Sequence, residues 1–251
     1  MSRWLFDLGN SRLKCAALHD DGSLGAVQAL GHEEARFAEA LHAVLPARAG
    51  TAYLASVASP ALTARVVEAL ASRFQCISVA RTQPCLAGVR IAYAEPARLG
   101  VDRFLALLAA HARGRGPWLV AGVGTALTID LLDGDGRHRG GRIGPSPRIM
   151  REALHQAARH LPAQGGDYRE FAADTADALA SGCEGAALGL VERSLREAAR
   201  ELGETPTLLL HGGGADALAV HWPGALQSPS LVLEGLALWA RLGTQQGHAS
   251  L

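Results

Sequence analysis

Apolar residues along this chain fall into two patterns, short near-continuous runs and longer segments at helical spacing, and the two alternate. Residues 3–7 and 13–18 read as strands on either side of the Leu8-Gly9-Asn10-Ser11 turn. Asp20-Asp21-Gly22 then signals a hairpin into a strand over 24–30. Phe37, Ala40, Leu41, Val44 and Leu45 predict a helix over 33–45. A strand at 51–57 leads to a helix at 60–74, with Ser59 as its N-cap, and then to a strand at 76–80. Phe104, Leu105, Leu107 and Leu108 give the apolar face of a helix over 97–113.

The plan then starts again. Arg113-Gly114-Arg115-Gly116-Pro117 breaks the helix, and its charges keep the segment wet. Strands at 118–122, 126–132 and 137–143 follow, the last two joined through Asp133-Gly134-Asp135-Gly136. Helices are expected at 147–160, 176–201 and 231–242, with a buried strand at 207–210. Strand, hairpin and helices, done twice, argue for an α/β protein of two duplicated domains. Each is a mixed sheet with helices, and a cleft lies between the copies. The division falls in the linker, giving domains 1–115 and 116–251.

Composition excludes more than it selects. At 251 residues the chain can bury one large core or two modest ones. Lys plus Arg and Asp plus Glu both number 24, so the basic excess of a nucleic-acid-binding surface is missing. No apolar run reaches membrane-spanning length, and the first residues lack the segments of a secretory signal. Cys15, Cys76, Cys85 and Cys183 make neither a CxxC pair nor a zinc spacing, so they are expected to be reduced, mostly buried thiols of a cytoplasmic protein. There is no GxxxxGK[ST] loop and no GxGxxG after the first strand.

Four segments offer chemistry. Asp7 ends the first strand, where it can hold magnesium through water; Asn10, Ser11 and backbone amides can line a phosphate, and Lys14 can neutralise it. Gly100-Val101-Asp102-Arg103 opens a helix. Gly100 is expected to take an unusual backbone angle, the Asp102 carboxylate gains from the helix dipole, and Arg103 suits a substrate carboxylate. Read alone, the pair is more simply an N-terminal charge and a surface arginine. Gly122-Val123-Gly124-Thr125 repeats the first turn, with glycine where the first copy has Asp7; Thr125 offers a hydroxyl, and Arg142 a nearby positive charge. Gly140-Gly141 allows close backbone approach, and His211-Gly212-Gly213-Gly214 suits either a nucleotide's base and ribose or a tight strand-to-helix turn.

Taken in order, segments 7–14, Tyr93 with Pro96 and 99–103, 124–130, 140–145, Thr175, 212–216 and 231–236 make the chain resemble the type III pantothenate kinases. This is the Bvg accessory factor family, within the acetate kinase, sugar kinase, Hsp70 and actin superfamily. The resemblance implies an actin-like (ribonuclease H-like) fold and ATP-dependent phosphorylation of pantothenate, the first step of coenzyme A biosynthesis. It assigns Asp7, Leu8, Gly9, Asn10, Ser11, Arg12, Leu13 and Lys14 to the first phosphate loop for ATP, with magnesium at Asp7, and Thr125 to the second. Tyr93, Gly100, Val101, Asp102, Arg103 and Thr175 would hold pantothenate, with Arg103 on its carboxylate and Asp102 as proton acceptor. It implies a homodimer with the substrate site near the subunit interface, and no nucleic-acid or membrane partner. Family members bind potassium or ammonium through an aspartate at the position of Gly122, which has no side-chain oxygen. The departure motivates an alternative: a weak or regulatory member that binds nucleotide without efficient turnover.

Overall fold

A computed structural model of the chain describes residues 2–32 and 37–246. By its internal contacts the chain divides into two compact units: one runs to Arg113 and resumes at Ser230, and the other is Gly114–Pro229.

The first unit is built on β1 (Arg3–Leu8), β2 (Arg12–Leu18), β3 (Gln28–Gly31), β4 (Ala49–Ser56) and β5 (Phe74–Val79), in the order β3-β2-β1-β4-β5. β1 pairs antiparallel with β2 and parallel with β4. Alternation decides the faces. Phe6 and Leu8 of β1, Leu13 and Cys15 of β2, and Ala52 and Leu54 of β4 pack against α1 (Phe37–Val44) and α2 (Pro60–Ala71) through Phe37, Leu41, Val66 and Leu70. Leu5, Asp7 and Lys14 therefore lie on the opposite face. Residues 33–36, part of the helix expected over 33–45, lie outside the described residues. α2 starts as its sequence predicts: Ser59 Oγ accepts the Leu62 amide, and Pro60 fills the first turn. A small hairpin, β6 (Cys85–Leu86) with β7 (Val89–Arg90), precedes α3 (Val101–Ala112). The helix expected over 97–113 is interrupted, because a single 3₁₀ turn covers Pro96–Arg98 before Gly100 opens α3.

The second unit contains β8 (Trp118–Val123), β9 (Ala126–Leu132), β10 (His138–Pro145), α4 (Pro147–Ala157), α5 (Thr175–Leu202), β11 (Thr207–His211), α6 (Ala215–Ala219) and β12 (Leu226–Gln227). Its order is β10-β9-β8-β11-β12, with β8 antiparallel to β9 and parallel to β11. Order and directions match the first sheet, so the duplication read from the sequence is present in the topology. Leu119, Ala121 and Val123 of β8 face Leu188 and Val191 of α5. The other face buries a hydrogen-bonded pair, His138 Nε2 and Asp130 Oδ1 at 2.8 Å. Gly140 takes a φ of 108° beside a register shift in β10, a conformation that L side chains rarely adopt. Of the cysteines, Cys15 and Cys183 are buried, while Cys76 and Cys85 are exposed; all four are free thiols.

The final helix corrects the expected domain division. α7 (Leu231–Gln246) leaves the second half of the sequence and packs on α3, β1, β2 and β4 of the first unit. Its apolar spacing predicts a helix but not a partner. The partner is fixed by fit: Leu231, Leu233, Leu236 and Ala240 are buried, Arg113 Nη2 meets Glu234 Oε2 at 2.6 Å, and Tyr53 and Trp239 meet edge to face. At the crossing, a Cβ on Gly235 would lie 1.9 Å from the Leu105 carbonyl oxygen. Gly235→Ala should therefore destabilise the protein by about 1–3 kcal/mol through overpacking. Gly182→Ala, in α5 with nothing within 4 Å of the added Cβ, should stabilise it. The gain should be roughly 0.5–1 kcal/mol. Urea denaturation midpoints decide both, and a Gly235→Ala protein as stable as the parent would refute the tight crossing.

Candidate active site

Two strands and a helix start bring three charged groups together in the first unit. Asp7, at the end of β1, pairs in register with Lys14 of β2 on one side and Ala55 of β4 on the other. Burial first, and then the negative charge of Asp102, push the Asp7 carboxyl up to about 7, while Lys14 pulls it the other way. Asp102 lies in the first turn of α3, where the unpaired amides of the helix favour its charge, and its Oδ1 accepts the Arg103 amide at 2.8 Å.

Gly100 departs from the sequence reading. Its φ of −52° and ψ of 135° are open to any residue. What glycine leaves there is room for the carboxylate, because a Cβ would lie 2.6 Å from Asp102 Oδ1 and displace it. Arg103 departs from the surface alternative. It is only 7% exposed, and Nη1 donates to Tyr93 Oη at 3.4 Å. The structure thus groups Tyr93, Gly100, Asp102 and Arg103; the Val101 side chain is buried, leaving its backbone for a ligand.

The first loop is tight. The Gly9 amide donates to the Arg12 carbonyl at 3.0 Å, and His32 Nε2 donates to the Gly9 carbonyl at 3.1 Å. Asn10 and Arg12 are exposed and Ser11 is half-buried. Leu8 and Leu13 are core side chains, so only their backbones can face a ligand. His32 was not legible in the sequence, since its contact is to a backbone carbonyl across a strand pair.

In the second unit, Thr125 follows Gly124 in the β8–β9 turn, which the Gly124 amide closes onto the Ala126 carbonyl at 2.9 Å. Gly212 has a φ of 93°, and a Cβ there would lie 2.4 Å from the Val123 carbonyl oxygen. The Gly214 amide donates to that oxygen at 3.0 Å, so the loop after β11 is clamped to the end of β8. Thr175 is exposed at the start of α5 and belongs to this unit, whereas Asp102 belongs to the first. Arg142 turns toward α5 and donates to Ser194, so it lies across the sheet from Gly122.

Two sheets of one order, each led by a hairpin with a glycine turn, define the class of actin-like folds. Solved structures agree at the level of fold. The activator of 2-hydroxyisocaproyl-CoA dehydratase from Clostridium difficile is 11% identical with a TM-score of 0.53, covering 100% of this chain and 98% of that one. An archaeal actin homologue is 11% identical with a TM-score of 0.50, covering 96% of this chain and all of its own. Within that class, the chain belongs to the type III pantothenate kinase family, whose model matches residues 4–197. Named type III pantothenate kinases from Stenotrophomonas maltophilia strain K279a and Xanthomonas axonopodis pv. citri are 60% and 58% identical over 240 and 241 residues. Each match covers 96% of this chain and 98% of the relative.

The folded protein holds the Asp7 proton more tightly than the unfolded chain, whose ordinary value is 3.8. Its contribution to stability is complete below that value and is lost as pH rises through about 7. Asp7→Asn removes the dependence. Between about pH 5 and about pH 8, the melting temperature of the nucleotide-free wild type should fall relative to that of Asp7→Asn. Parallel curves for the two proteins would return Asp7 to the usual carboxylate range.

Proposed function

We infer that this protein transfers the terminal phosphoryl group of ATP to the primary hydroxyl of pantothenate, giving phosphopantothenate, the first step toward coenzyme A. The observation that carries the reading is the grouping at the start of α3: an ionisable acceptor, Asp102, beside a buried arginine already bonded to a tyrosine. The family of the chain supports it.

In this reading Arg103 and Tyr93 hold the pantothenate carboxylate, the backbone at Gly100 and Val101 lines the substrate, and Thr175 is a further contact. Asp102 accepts the hydroxyl proton as that oxygen bonds to phosphorus, and the bond from phosphorus to the bridging oxygen breaks to release ADP. Such transfer asks mainly for positioning and charge neutralisation. The loop 7–14 meets the phosphates through Ser11, Asn10, its amides and Lys14, and Thr125 adds a hydroxyl.

Magnesium fits the first unit. Burial first, and then the charge of Asp102, raise the Asp7 carboxyl, so a cation beside it would favour its ionised form. Among the described residues no group of three or more His, Cys, Asp or Glu forms a metal site by itself. Asp7 would hold the ion through water, with the remaining ligands from ATP phosphates; the ion neutralises charge on the transferring group. A monovalent cation of the family's kind fits poorly, since position 122 offers no carboxylate and a neighbouring side chain fills the space above it. The rate is therefore expected to be the same in potassium, ammonium and sodium.

The same reading makes the enzyme a cytoplasmic homodimer. No helix of the described residues is long and apolar enough to cross a membrane. Light scattering at micromolar concentration should report twice the chain mass of 26.2 kDa; a value at the monomer mass would remove the dimer.

Steady-state kinetics with ATP, magnesium and pantothenate test the chemistry. Asp102→Asn keeps an acceptor for the Arg103 amide but loses the proton acceptor, so kcat should fall roughly 10²–10⁴-fold. Arg103→Lys keeps charge without the fork and should raise KM for pantothenate about tenfold or more, with a smaller effect on ATP. Wild-type turnover in Asp102→Asn would remove its role. ATP binding by the wild type with no turnover would favour the regulatory reading that Gly122 motivates.

A further inference from the structure

The second unit holds a polar pair that the reading above leaves unused. Three strands meet in one row at Gly122, with Thr128 of β9 in register on one side and His211 of β11 on the other. A Cβ at position 122 would lie 2.7 Å from His211 Nε2 and 2.8 Å from Thr128 Oγ1. Both polar atoms thus converge on the same small volume above the glycine. The next row is closed: Leu209, Val120 and Asp130 are at most 3% exposed. The Gly122 row is open, since His211 and Thr128 are half-buried and Ile143, in register with Thr128, is 67% exposed. It is also the row beside the Gly124-Thr125 turn and the clamped glycine loop. These are the carboxyl ends of parallel strands, where α/β sheets of this kind bind ligands.

The two sheets share one order, so their positions correspond. In the first, Asp7 stands between Lys14 and Ala55. In the second, Gly122 stands between Thr128 and His211. The first copy puts its polar side chain on the central strand and a small residue on the parallel neighbour. The second copy exchanges them. Gly122 is thereby the space that the imidazole needs.

We propose that His211, seated over Gly122 beside Thr128, is a phosphate-binding residue of the nucleotide site. Nε2–H and the Thr128 hydroxyl donate to oxygens of the outer phosphates of ATP or ADP. The assignment rests on the phosphoryl-transfer reading. Imidazole in its Nε2–H form donates whether neutral or charged, as an oxyanion requires, and a carboxylate in the same space could only accept. A donor supplied directly by the protein also explains why this position needs no carboxylate-held cation.

Ligand-detected NMR titration of the intact protein with Mg-ATP, Mg-ADP and AMP tests this, with melting curves to confirm folding. His211→Ala should weaken ATP and ADP by about 10- to 100-fold, the loss of a charge-assisted hydrogen bond, and leave AMP unchanged. His211→Gln, which keeps an N–H donor, should recover most of the loss. Gly122→Ala should displace the imidazole and match His211→Ala, and the same change in a His211→Ala background should cost little more. If the wild type binds ATP and His211→Ala binds it equally well, the assignment falls and the phosphoryl-transfer reading stands. An equal loss for AMP would also overturn it, by showing a structural effect. If His211→Ala does not fold, unchanged ATP and ADP affinity in Gly122→Ala overturns the assignment. A wild type that binds no ATP removes both readings.

Discussion

The crowding of Asp7 and Asp102 under a single lysine sets the terms for the first unit. Neither carboxylate is free to retreat. Asp7 sits on the central strand of its sheet, held in register by β2 and β4. Asp102 is held by the first turn of α3, which crosses α7 at a contact too close for any side chain at Gly235. The repulsion is met locally by Lys14, by the amides at the start of α3, and by the raised proton affinity of the buried Asp7 carboxyl. Two carboxyls in a partly desolvated space suit a ligand that brings a cation with it.

Much of this was legible in the sequence, and for definite reasons. Alternation fixes which side chains share a face, so a hairpin with a short turn places Asp7 opposite Lys14 before any coordinates are known. A helix start is equally legible, which is why Asp102 and Arg103 could be put in a first turn. What stayed hidden depended on neighbours distant in sequence. Gly100 suggested backbone freedom, and only the position of the Asp102 carboxylate shows that the constraint is volume. For Arg103 the sequence alone leaves a surface position open, and its burial and its bond to Tyr93 remove that alternative. α7 is recognisable as a helix, but an apolar face does not name its partner, and only the packing on α3 ties it to the first unit.

The same limit explains the reading of Gly122. In the sequence it is an acid missing from a repeated turn, and absence suggests a degraded copy. In the sheet it lies between two polar side chains that already converge on the space an acid would take. A carboxylate at 122 and an imidazole at 211 are therefore alternatives for one volume, and the two positions are coupled through it. They also solve different electrostatic problems. A carboxylate next to phosphates adds negative charge and calls for a cation to offset it, whereas an imidazole supplies a donor without that requirement. Duplication gave both halves the same rows of neighbours, and the halves have since filled them in opposite order. A lone glycine in such a row is thus best interpreted together with the residues beside it on the adjacent strands.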